Sequence, residues 1–111
     1  MEKKEIAIEV LKNKKAQDIK VIDISELSIL ADYFIIATGT SSTHVQSLAE
    51  NLEEKLNEAG FDMHHKEGFR SGSWILLDYY DIVIHLFSKE ERDFYNLERL
   101  WADATTISIE S

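Results

Sequence analysis

Two periods of apolar residues alternate along this chain, and each change of period marks an element. Ile6, Ala7, Val10 and Leu11 recur at helical spacing and predict a first helix over about residues 3–15. The run "IKVIDI" (19–24) reads as a strand. Tyr33 to Thr38 is apolar almost throughout, as expected of a central strand covered on both faces. Val45, Leu48, Ala49, Leu52, Leu56 and Ala59 then form one stripe, with Glu50, Glu53, Glu54 and Lys55 off it. That predicts a helix over 43–59, with Gly60 placed to close it. Phe61, Met63 and His65 alternate with Asp62, His64 and Lys66, the pattern of a half-buried strand over 61–66.

The stretch "SWILLDYYDIVIHLF" (73–87) predicts a hairpin turning near Tyr79–Asp81. In its first arm Trp74, Leu76 and Asp78 share one face, and Ile75, Leu77 and Tyr79 the other. Ser88 with Glu91 makes a capping box, so a helix is expected to about Ala104, with Phe94, Leu97, Leu100, Trp101 and Ala104 inward. "TTISIES" reads as a loose tail. The expectation is an α/β fold: a single layered domain over 1–104, a mixed five-stranded sheet flanked by helices, and a tail at 105–111. The 33–38 strand, the 43–59 helix and the 61–66 strand are expected to form a right-handed crossover.

Charge narrows the partners. Lys and Arg number 12 and Asp and Glu 21, for a net charge of −9. This argues against a broad grip on phosphate backbones and fits a basic protein partner, though it also serves plain solubility. The absence of cysteine removes disulfide and thiolate chemistry. No apolar run is long enough to span a membrane and the charged N-terminus has no signal-peptide core, so a cytoplasmic protein is expected.

Four groups of residues are candidates for chemistry. The turn Thr38–His44, "TGTSSTH", joins a strand to a helix and is placed to cradle a phosphate. It lacks the lysine of a Walker loop and the glycines of a dinucleotide fingerprint, whereas Ser42 or Thr43 suits an N-cap. Asp78 and Asp81 are three apart rather than two, which on a strand puts them on opposite faces, so a shared metal is not expected. His44, His64 and His65 with Asp78 are the ingredients of a metal-dependent hydrolase, while His85 reads as a core histidine with a hydrogen-bond partner. Trp74, on one face with Asp78, suits a protein-binding surface or packs under a helix.

The segments "DYFIIATGTSSTHV" (32–45), "WILLDYYDIVIHLF" (74–87) and "ERDFYNLERLWADA" (91–104) resemble the ribosomal silencing factor family, also called RsfS or Iojap-like. The resemblance runs in order over about residues 5–104. It implies a nucleotidyltransferase-like fold without catalytic acids, no cofactor or metal, and a translation repressor rather than an enzyme. The implied partner is a basic large-subunit ribosomal protein, number fourteen of the bacterial set, bound at the intersubunit face. Occupying that face would block joining of the small subunit in stationary phase or starvation, without sequence-specific nucleic-acid binding or membrane attachment, and a homodimer is compatible. The partner-binding residues are then expected to be Trp74, Leu76, Asp78, Tyr79, Tyr80 and Asp81. A nucleotidyltransferase-like or phosphate-binding enzyme using the Thr38–His44 turn is the alternative. One departure stands out: Tyr80 takes the place of the family's usual turn glycine, so a shifted turn type is expected.

Overall fold

A computed structural model describes residues 2–29, 31–95 and 105–109. The elements run α1 (Lys3–Asn13), β1 (Gln17–Asp23), β2 (Tyr33–Gly39), α2 (Ser42–Glu58), β3 (His65–Glu67), β4 (Trp74–Asp78), β5 (Ile82–Ser88), α3 (Lys89–Tyr95) and β6 (Thr105–Ile109). They build one mixed sheet in the order β3-β4-β5-β2-β1-β6. β2 and β5 are parallel at its centre, and every other pairing is antiparallel. β3 therefore runs parallel to β2 with β4 and β5 between them, and the link through α2 crosses both.

The stripe of α2 explains the larger core. Val45, Leu48, Ala49, Leu52 and Leu56 are buried against Ile35, Ala37, Ile75, Leu77, Ile84 and Leu86, with Ala7, Val10 and Leu11 of α1 in the same cluster. Alternation along each strand sends the other set of side chains to the opposite face. There Ile22, Ile24, Ala31, Ile36 and Phe87 form a second, smaller cluster, with Phe34, Trp74 and Val83 half-buried beside it. β2 is thus apolar almost throughout because both faces are covered, as its sequence predicts.

Two boundaries differ from expectation. The presumed tail is β6, paired with β1 from Ile19↔Ile109 to Asp23↔Thr105. Its β-branched residues suit a strand, and β1 offers an otherwise open edge to pair with. The strand expected over 61–66 shrinks to His65–Glu67, because Phe61 and Met63 turn inward and pack on the main core. The last helix is described to Tyr95; its expected continuation, with Leu97, Leu100, Trp101 and Ala104, lies outside the described residues, as does the side chain of Phe94. Its start agrees, since the Glu91 N–H donates to Ser88 Oγ over 3.4 Å.

Candidate functional site

The Thr38–His44 turn is consumed by its own structure. Gly39 is required because a Cβ there would lie 2.6 Å from Val45 Cγ2. The N-cap is Ser41, not Ser42 or Thr43: its hydroxyl accepts the His44 N–H over 3.1 Å. His44 reaches back, its Nδ1 accepting the Thr40 N–H over 2.9 Å and its Nε2–H donating to the Lys14 carbonyl over 2.9 Å. An accepting Nδ1 and a donating Nε2 together define the Nε2–H tautomer. Thr38 Oγ1 accepts from buried Arg92, which also donates to the Asp18 carbonyl. Two N–H groups of the turn, those of Thr40 and His44, are thus already bonded to side chains. Among the described residues no cluster of His, Asp and Glu is placed to hold a metal ion.

The hairpin holds the more open surface. Trp74, Leu76 and Asp78 line the face of β4 away from α1 and α2, each half-buried. The indole Nε1–H of Trp74 donates to His85 Nδ1 over 3.1 Å, and its ring stacks on Phe87 with centroids 5.0 Å apart. Phe34 meets the His85 ring edge-on at 4.8 Å. Burial holds His85 neutral and lowers its pKa to about 4. Because Nδ1 accepts from Trp74, the proton sits on Nε2. His85 is thus the partnered core histidine expected from its sequence context.

Tyr79 points the other way. It is buried in the main core. Desolvation, with a smaller contribution from Glu53, pushes its hydroxyl up to about 12. Its expected place among the surface contacts is corrected by strand alternation, which puts it with Ile75 and Leu77.

Past Asp78 the chain turns tightly. Tyr80 sits at φ +73°: the tyrosine takes the left-handed conformation that glycine favours, where a turn that avoids it was expected. Three contacts hold it there. The Tyr79 N–H donates to the Ile82 carbonyl over 2.8 Å, the Tyr80 N–H to Asp78 Oδ1 over 2.8 Å, and Lys3 Nζ to the Tyr79 carbonyl over 2.8 Å. Lys3 also pairs with Asp81 Oδ1 at 2.6 Å. The Tyr80 ring lies against His64, centroids 4.7 Å apart.

The turn also corrects the separation expected of Asp78 and Asp81. Strand geometry does not carry across it, and both line one cleft of about 570 Å³ with Ile29, Ala31, Asp32, His64 and Tyr80. Trp74 and Leu76 lie further along β4 on the face that Asp78 ends. Sequence reasoning missed Lys3, Ile29 and Asp32, which come from distant segments; the local signal was three large apolar residues, Leu27, Ile29 and Leu30, between two predicted strands.

Comparison with known proteins adds to this geometry. The family model described as "Ribosomal silencing factor during starvation" matches residues 1–111. The Bacillus subtilis protein "Ribosomal silencing factor RsfS" is 39% identical over 105 residues, covering 95% of this chain and 89% of that one. A crystal structure of a Chromobacterium violaceum protein is similar at 41% identity and a TM-score of 0.89, covering 92% of this chain and 88% of that one. A more distant relative is the mouse protein "Mitochondrial assembly of ribosomal large subunit protein 1", 33% identical over 100 residues, 87% of this chain and 44% of that one.

Proposed function

Since this chain belongs to the ribosomal silencing factor family, we propose that it represses translation by occupying the large ribosomal subunit. The contact is a basic ribosomal protein at the intersubunit face, number fourteen of the bacterial set, and occupancy keeps the small subunit away. The conditions are those of stationary phase or starvation. No chemical step is involved.

The observation that carries this reading is the half-buried face of Trp74, Leu76 and Asp78 ending in the exposed Tyr80 turn. An aromatic and an aliphatic side chain beside a carboxylate fit a basic surface: the apolar groups supply buried area and the acid meets Arg or Lys. The net charge of −9 favours encounter with such a partner. The mouse relative's name, which places it with the large subunit, is consistent with this choice. An enzymatic reading finds less support, because the turn that suggested it is occupied by its own capping bonds.

Sedimentation with purified large subunits, small subunits and joined ribosomes tests the proposal. The protein is expected to travel with the large subunit and to reduce formation of joined ribosomes in proportion to its occupancy. Absence from the large-subunit fraction sinks it.

A further inference from the structure

We propose that the cleft between the 24–32 loop and the β4–β5 turn receives an arginine side chain of the basic protein on which this molecule docks. The proposal rests on the function proposed above and extends its surface around the end of the sheet.

The walls of the cleft are held in place by backbone bonds. The Ile24 N–H donates to the Asp32 carbonyl over 2.8 Å, closing the loop, and the Asp32 N–H donates to the Asp81 carbonyl over 2.7 Å, tying it to the turn. Two large groups on these walls are exposed, Ile29 at 102% and Tyr80 at 57%. Folding gains little from either. Tyr80 in addition holds a left-handed backbone, φ +73°, which is strained for a residue with a Cβ. An exposed aromatic kept in such a place suits a surface made for contact.

The polar lining selects the occupant. Asp32, Asp78 and Asp81 all face the cleft, with His64 against the Tyr80 ring. Lys3 already neutralises Asp81. Asp78 uses Oδ1 to accept the Tyr80 N–H; among the described residues Oδ2 has no donor and no cation pairs with Asp32 or Asp78. A guanidinium fits this combination better than an ammonium. Its plane stacks on an aromatic ring, its fork donates to carboxylates, and its aliphatic stem lies against an apolar wall such as Ile29.

Two measurements test the assignment. The first is an NMR titration of the whole protein with Nα-acetyl-arginine amide, with Nα-acetyl-lysine amide as the comparison. The arginine probe is expected to move the signals of Asp32, His64 and Tyr80, more tightly than the lysine probe, and about threefold more weakly in Asp32→Asn and in Tyr80→Gly. The second is the Kd for purified large subunits. Tyr80→Gly is expected to raise it about tenfold and Asp32→Asn about threefold with a flatter salt dependence. Both variants keep a foldable chain: Asp32 is exposed, and glycine relieves the strained backbone. No response to the arginine probe at these residues overturns the proposal. So do unchanged Kd values in both variants while Trp74→Ala loses binding, which leaves the silencing surface standing without the cleft. If the unmodified protein is not retained by large subunits, the function proposed above fails, and this partner with it.

Discussion

His85 shows how one buried side chain ties stability to pH. Its folded pKa is lowered from 6.5 to about 4 by burial. Between those values the unfolded chain binds a proton that the folded chain refuses, so stability is full above pH 6.5 and falls as the pH falls. The slope from this group alone reaches at most about 1.4 kcal/mol per pH unit. Urea midpoints at pH 7, 6 and 5 should therefore drop less steeply in His85→Gln than in the unmodified protein. Equal slopes would show that His85 is protonated in the folded state as readily as in the unfolded one. Ser41 offers a second residue-scale check. Ser41→Ala removes the acceptor of the His44 N–H and should lower stability by about 0.5–2 kcal/mol, read by thermal denaturation. Ser42→Ala should cost less, because Ser42 stands inside the helix and does not cap it.

At the scale of elements, the β4–β5 turn and β6 carry the clearest expectations. In the turn, Tyr80→Gly exchanges left-handed strain for greater freedom of the unfolded chain. These terms oppose each other, so the melting temperature should correspond to a change within about 1 kcal/mol. A large loss would mean that the ring contact with His64 holds the turn more than its backbone bonds do. Ending the chain at residue 104 removes β6, its ladder with β1 and the packing of Ile109 on the main core. A loss of about 2 kcal/mol or more is expected from the apolar burial. Unaltered denaturant midpoints would show that β6 adds nothing to the folded state.

For the whole molecule, the proposed activity is occupancy of a surface, so inhibition of subunit joining should follow affinity through every variant. Trp74→Ala should weaken binding to the large subunit by about 2–4 kcal/mol, in the range of interface hot spots. It should also destabilise the fold, because the indole N–H is the donor to His85 and the ring stacks on Phe87. Binding compared at saturating folded protein separates the two effects. Full affinity with reduced stability would place Trp74 wholly in the core and move the binding face elsewhere. Raising the salt concentration should weaken binding, since a chain of net charge −9 would meet the proposed basic partner partly through screened charges.

The stripes of α1 and α2, the two-sided burial of β2, the hairpin arms and the capping of α3 were all legible in the residues. Each depends on local periodicity or on a cap within one turn. The resemblance of three segments to the silencing factors was legible too, and it is matched along the whole chain. What tertiary structure decided lay beyond local pattern. β6 looks like a tail until β1 supplies an edge for it. Tyr79 and Tyr80 are neighbours, yet alternation sends one into the core while the turn pushes the other outward. The hairpin residues were named from the sequence, but Lys3, Ile29, Asp32 and His64 reach them from up to 78 positions away, as Lys3 and Asp81 do. Periodicity reports which way a side chain faces on its own element, whereas a cleft is made where separate elements meet, and only the packed sheet sets that meeting.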